Sequence, residues 1–349
     1  MPPESPLPTI EDVARLAGLS PESASRVVAF SPLAGKDARA KVTQALAELG
    51  HMPAPLPRRS VPARAPLLVV LHDGGDYALL GEVLGALEPA IAGHGLALQV
   101  ERIDPGARNL ERAFIEFLET RRPAAALILP PLSSLDELAG LCWEYGCTHV
   151  RLGASALDHG HALVASTDRR GMAEVVSQLV ALGHRRIAAL TGPDGDATAQ
   201  ERELGYLDAM AEHGLDRGPA LIAQGDWSFA SGMEAARLLL QVSPCPTAIA
   251  AANDEMAAGA LHAARAMGVP VPEALSITGF GDTPLAARLW PPLSTVRVPL
   301  AEVVRIAAAK LLDPEEAARL PWSLATCLVP RGTTAPPPAA QSALRVQSG

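Results

Sequence analysis

Apolar residues in the first fifty positions recur at helical spacing. Ile10, Val13, Ala14 and Ala17 share one face of a short helix that Thr9 can cap, with Asp12 at the third helical position and Gly18 at the stop. Ser20 then caps a second helix that opens with Pro21, the favoured place for proline, and turns Ala24, Val27 and Val28 inward. A third helix is predicted from about Lys36 to Leu49, with Val42, Ala45, Leu46 and Leu49 inward and Gly50 at its end. Only Gly18 and Leu19 separate the first two helices, so they must cross steeply, which is the helix-turn-helix arrangement.

Beyond this head the pattern changes twice. Residues 51–66, HMPAPLPRRSVPARAP, carry five prolines and little periodicity, and read as a linker. After it, apolar strands alternate with amphipathic helices. LLVVL (67–71), LALQV (96–100), AALILP (125–130) and THVRLG (148–153) form one series with helices over 79–92, 109–121 and 134–146. RIAALTG (186–192), ALIAQ (220–224), TAIAAAN (247–253) and LSITGF (275–280) form a second, with helices over 172–182, 199–213, 230–241 and 255–267. Such alternation predicts parallel sheets covered by helices, and about ten strands in two series suit two lobes better than one sheet. The predicted division is a head over 1–53, a Pro-rich hinge over 54–65, a core over 66–335 and a mobile tail over 336–349. Ligands of parallel sheets sit beyond the carboxyl ends of the strands, where this chain places Asp73, Asp168, Asn253 and Asp282.

Composition narrows the function. Of 349 residues, 48% are hydrophobic and 19% charged, enough for a large core. The net charge of −9 argues against a chain coated in nucleic acid, yet residues 1–65 hold eight Lys and Arg against six Asp and Glu. That balance of +2 has the sign a small DNA-reading head needs. The first residues show no basic and apolar leader, and no uncharged apolar run nears the roughly 20 residues that span a bilayer, so a cytoplasmic protein without membrane contact is expected. Cys142, Cys147, Cys245 and Cys327 are too few and scattered for a disulfide framework or zinc site, and read as buried small hydrophobes. No GxSxG, HExxH, Walker loop or GxGxxG after the first strand is present, so neither catalytic residues, metal nor cofactor are expected.

The head TIEDVARLAGLSPESASRVV resembles the opening helix-turn-helix of the LacI/GalR family. ALGHRRIAALTGP (181–193), RELGY (202–206), GDWS (225–228), ANDEMAAGAL (252–261), VPEALSITGFGD (271–282), PPLSTVRVP (291–299) and LVPRGTT (328–334) follow in that family's order. The resemblance spans about 325 residues. It implies a repressor with an α-helical DNA-binding head and an α/β two-lobed, periplasmic-binding-protein-like core, acting as a homodimer on a double-stranded operator. A small-molecule effector, a sugar or similar metabolite, would bind between the lobes.

The candidate DNA-contacting set is Thr9, Ser20, Pro21, Glu22, Ser23, Ser25, Arg26 and Arg39. Arg26 can grip guanine O6 and N7, Glu22 can accept from a cytosine amino group, and Ser20 and Ser25 suit phosphate. The resemblance places base contacts at Pro21, Glu22 and Arg26. Spaced four apart, Glu22 and Arg26 also fit a plain exposed ion pair. Two departures stand out. Ala29 replaces the family's Asn, and Pro55, Pro57 and Ser60 occupy the stretch that forms a hinge helix with a leucine wedge.

For the effector, the resemblance carries over Asp168, Arg202, Trp227 and Asn253; Asp73 and Asp282 complete the candidate set. Asp and Asn suit hydroxyls, Arg a bidentate fork, and an indole the face of a ring. On this reading Arg202→Ala abolishes the effector response and spares operator affinity. Asn253 or Asp254, and Asp282, also fit plain helix caps, Trp227 fits core packing, and His184 a helix end or interface. Gly281 stands where the family has an acid, which favours a phosphorylated sugar, an acid, a nucleobase or no ligand over an ordinary sugar. A regulator whose core ignores ligands, and a solute sensor without DNA binding, are the alternatives.

Overall fold

The computed structural model describes residues 9–21, 23–24, 41–42, 45, 65–75, 77–154, 162–313 and 319–338. The chain divides into two compact units, Met1–Tyr77 with Ile91–Arg151, and Ala78–Ala90 with Leu152–Gly349.

The first unit opens with α1 (Ile10–Ala17). Its start is a reciprocal box: the Asp12 amide donates to Thr9 Oγ1 at 3.3 Å, and the Thr9 amide donates to Asp12 Oδ2 at 3.0 Å. Gly18 ends the helix at φ 64°, a left-handed conformation that glycine adopts without strain. Pro21, Ser23 and Ala24 are helical again, and the Ser23 amide donates to Ser20 Oγ at 3.2 Å, the cap predicted for that residue. Val13, Ala14, Ala17, Ala24, Val42 and Ala45 form one buried cluster, so the predicted inward faces meet. The hinge residues and Glu22, Ser25, Arg26 and Arg39 lie outside the described residues.

In the same unit β1 (Ala65–His72), β2 (Ala97–Arg102), β3 (Pro123–Ile128) and β4 (Thr148–Ala154) run parallel in the order β2-β1-β3-β4. The helix α2 (Tyr77–Ile91), whose residues Ala78–Ala90 are assigned to the second unit, buries Leu80, Val83, Leu87 and Ile91 at helical spacing. Val69, Leu71, Ala126 and Ile128 pack against Phe114 and Leu118 of α3 (Leu110–Arg121) and Leu138 and Leu141 of α4 (Asp136–Glu144). Cys142 and Cys147 join this core, whereas Cys245 and Cys327 are exposed, against expectation. Cys245 lies between two prolines in a loop, and Cys327 is the exposed first residue of the short strand Cys327–Val329.

The second unit carries β5 (Leu163–Ser166), α5 (Asp168–Ala181), β6 (Ile187–Thr191), α6 (Ala197–Glu212), β7 (Ile222–Gln224), α7 (Phe229–Leu240), β8 (Ala248–Ala251), α8 (Asp254–Ala266) and β9 (Ser276–Thr278). After them come α9 (Pro284–Arg288), β10 (Thr295–Arg297), α10 (Leu300–Leu312), β11 (Ser323–Leu324) and β12 (Cys327–Val329). Its main sheet is parallel in the order β7-β6-β8-β9. Alternate residues divide between its faces. Ile187, Ala189, Ala248 and Ala250 meet Met172, Val175, Val176 and Leu179 of α5 and Tyr206 and Met210 of α6. Leu190, Ile249, Ala251 and Ile277 meet Leu239 of α7 and Met256 and Ala260 of α8.

Helix α5 begins at Asp168, four residues before the predicted start. Its first turn is polar and glycine-bearing (DRRG), which hides it from an apolar template, and Asp168 therefore opens a helix instead of ending a strand. His184 lies just past that helix and is buried. Its ring meets Thr247 Oγ1 at 2.9 Å, Ser276 Oγ at 3.0 Å and the Ala335 carbonyl at 2.9 Å, tying the strand edge to the C-terminal segment. Burial lowers its pKa, so it stays neutral. It is a structural hub, in line with the reading that set it apart from ligand contacts.

Candidate functional site

The head presents its candidate residues where the local chemistry puts them. Thr9, Ser20 and Pro21 are exposed and Ser23 is half-buried, all at the N-terminal ends of two helices. Free amides and the helix dipole make such ends favourable for phosphate.

In the second unit four of the candidate effector residues come together at the carboxyl ends of the strands. Arg202 on α6 reaches back to Asp168 at the start of α5, with Nε and Nη2 at 2.8 and 2.7 Å from Oδ2. Its Nη1 donates to the Ala252 carbonyl at 2.7 Å, just past β8. The guanidinium carbon stands 4.0 Å from the Phe280 ring centroid and 5.6 Å from that of Trp227, so two aromatic faces flank it. Ser166 Oγ donates to the other Asp168 oxygen.

Trp227 is fixed with equal care. Its backbone takes φ 73°, which a bulky residue adopts only when its surroundings hold it there. Asn253 supplies that hold: its Nδ2 donates to the Trp227 carbonyl at 2.8 Å, while its Oδ1 accepts from the Met256 amide at 2.8 Å and caps α8. The indole approaches Gly192, where an added Cβ would stand 2.5 Å from Cζ2, and its Nε1 donates to Asp196 Oδ2 at 3.4 Å. Glycine at 192 is what lets the ring approach.

Asp282 is occupied within the chain. Its carboxylate accepts from Arg297 Nε at 2.6 Å and from Arg331 Nη2 at 2.5 Å. Burial works to raise its pKa, but the hydrogen bonds and charges of Arg331 and Arg297 prevail and hold it below the ordinary carboxylate range. Such a group stabilises the fold above its unfolded pKa, and that contribution is lost as pH falls through the lower folded value. Asp282→Asn is therefore expected to flatten the acid limb of a stability-versus-pH curve while leaving its shape near neutrality, as read by urea titrations at a series of pH values. Its neighbour Asp254 is shifted upward by burial, although Thr295 and Thr283 donate to it.

Asp73 belongs to the first unit, where its Oδ1 accepts from the Gly75 amide at 2.9 Å in a tight turn. Phe280, Ser166, Asp196, Arg297 and Arg331 take part in the site without having been singled out from the sequence. Arg297 and Arg331 sit inside quoted motifs, PPLSTVRVP and LVPRGTT, but pairing with Asp282 needs contacts 15 and 49 residues apart. Among the described residues no group of three or more His, Cys, Asp or Glu could hold a metal ion, and no helix is long and apolar enough to cross a membrane.

Residues 9–54 match the family described as bacterial regulatory proteins, lacI family, and residues 176–334 match a periplasmic binding protein-like domain. The HTH-type transcriptional regulator AscG of Escherichia coli K12 is 31% identical over 306 residues, covering 87% of this chain and 91% of its own. The HTH-type transcriptional repressor CytR of the same strain is 31% identical over 316 residues, covering 87% and 89%. Among solved structures, the transcriptional regulator CelR in complex with cellobiose superposes with a TM-score of 0.69 at 26% identity, covering 94% of this chain and all of its own. The lac repressor dimer bound to operator and the anti-inducer ONPF gives 0.68 at 26% identity, covering 95% and 100%.

Proposed function

From the premise that the chain belongs to the LacI family of bacterial regulatory proteins, we propose that it is a transcriptional repressor that binds a specific DNA operator as a homodimer and answers to a small-molecule effector. The observation that carries this reading is the pairing, in one chain, of a doubly capped helix-turn-helix with a parallel α/β unit whose strand ends gather Arg202, Trp227, Phe280 and Asn253. The helix opening at Pro21 lies in the major groove, with Arg26 on a guanine, Pro21 and Glu22 against the bases, and Thr9, Ser23 and Arg39 completing the contact surface. Phosphates are held by Ser20 and Ser25. Each head reads only a few base pairs, so two-fold related heads need a near-palindromic site. The protein works in the cytoplasm, on DNA, without catalysing a reaction. Its functional parts are a head over 1–53, a hinge over 54–65, a core over 66–335 and a tail over 336–349.

Arg26→Ala is expected to weaken operator binding by about 1–3 kcal/mol and to relax the preference at one position of each half-site. Gel shifts at fixed, moderate salt measure both. Undiminished binding would remove Arg26 from the reading set. A core that ignores ligands is the second reading, favoured by the in-chain partners of Asp168, Asn253 and Asp282. Calorimetry against sugars, sugar acids and sugar phosphates separates the two.

A further inference from the structure

We propose that the effector is an anion whose carboxylate or phosphate group is held at the Gly281–Asp282 turn by the guanidinium of Arg297, an inference that rests on the effector site just described.

Four carboxylates with buried side chains lie at or just past the carboxyl ends of the second unit's strands, and both oxygens of each are engaged within the chain. Asp168 takes Ser166 and Arg202; Asp196 takes the Ala199 amide and Trp227 Nε1. Asp254 takes Thr295 Oγ1 at 2.5 Å on one oxygen and the amide and hydroxyl of Thr283 at 2.7 and 3.0 Å on the other. Asp282 takes Arg331 and Arg297. Asn253 has spent its carbonyl on the Met256 amide. A neutral polyol recognised through its hydroxyls needs acceptors, and this surface has few to give.

The shortage is set by the backbone. Gly281 adopts φ 131°, a conformation that side chains rarely take, and a Cβ there would face Asp254 Oδ2 at 3.4 Å and Thr283 Cγ2 at 3.3 Å. Any side chain at 281 would be strained there and would start within contact distance of the Asp254 carboxylate.

Donors, by contrast, are in surplus. Arg202 engages three of a guanidinium's five N–H groups. Arg297 engages only Nε, through Asp282, and its two terminal nitrogens have no partner among the described residues. Its side chain is 57% exposed. The backbone anchors it beside the turn, because Gly281 and Arg297 form a parallel bridge and the Gly281 amide donates to the Val296 carbonyl at 2.7 Å. Arg297 and Arg331 together bring two positive charges to the single carboxylate of Asp282. Free donors on an exposed guanidinium call for a ligand that brings its own acceptors.

Calorimetry on the full-length protein tests this with matched probes: aldonates, aldose phosphates, and the neutral aldoses of the same carbon skeletons. An anionic member is expected to bind at least about tenfold tighter than its neutral counterpart, and Arg297→Gln to lose about that factor while Arg297→Lys keeps part of it. Comparing the aldonate and phosphate arms identifies the head group. Operator affinity of the unliganded variant reports whether it is folded; should Arg297→Gln unfold, the wild-type protein carries the test, since its anion affinity must fall with rising salt and that of the neutral probe must not. A neutral aldose binding as tightly as its acid, or a folded Arg297→Gln with unchanged anion affinity, overturns the proposal and leaves the effector site standing. If no probe binds, charged or neutral, the effector reading itself fails.

Discussion

Arg202→Ala is expected to destabilise the second unit by about 3–5 kcal/mol. The Asp168 side chain is 1% exposed, and without the guanidinium it keeps only the Ser166 hydroxyl. What the variant measures is the cost of a buried carboxylate left without its countercharge, which far exceeds the net value of the intact pair. Two companion results fix the cause. The double variant Asp168→Asn/Arg202→Ala recovers most of the loss, because a neutral amide replaces the orphaned charge. Arg202→Lys recovers part, since it restores charge without the planar fork. Denaturant titrations read both, and a loss below about 1 kcal/mol would contradict the assignment. The motif alone suggests an effector-only defect for this variant; the buried pair makes it a stability variant first.

The second large effect is steric. Gly205→Ala is expected to cost about 3 kcal/mol or more, at or beyond the upper end for overpacked sites. A Cβ at 205 would sit on the carbonyl oxygen of Arg169, with the carbonyl carbon at 2.9 Å and Cα at 3.1 Å. These are backbone atoms of α5, so no rotamer change relieves the clash, and α5 must move away from α6. That shift would pull Asp168, the first residue of α5, from Arg202 on α6, so the same variant should weaken effector binding at a distance. Thermal unfolding and calorimetry on one preparation check both parts. A Gly205→Ala protein with wild-type stability would show that the two helices can separate freely.

Much of this architecture is written in apolar spacing. The helices over 79–92, 199–213, 230–241 and 255–267 were placed within two residues of their observed ends, because each has a long stripe to bury. The strands Ser323–Leu324, Cys327–Val329 and Thr295–Arg297 went unread, since two or three residues show no period and their pairing joins distant segments. At the site, residue types were informative and their partners were not. Asp168 and Arg202 were both singled out as ligand contacts, but their ion pair spans 34 positions and no local pattern encodes it. Asn253 is the instructive case: its helix cap was foreseeable from the residues that follow, whereas its grip on the strained Trp227 carbonyl depends on a φ that a sequence does not display. Gly281 likewise reads as a missing acid, whereas the positive φ that strains any side chain there is not visible in a sequence.

The claim on which the rest depends is that the helix capped by Ser20 lies against bases. Selection of random duplexes by the full-length protein, sequenced after several rounds at fixed salt, tests it most directly. The account predicts enrichment of two inverted half-sites at a constant spacing, with information concentrated at the positions that Arg26→Ala relaxes. A bound pool indistinguishable from the input, in the presence and absence of the effector probes alike, would contradict it.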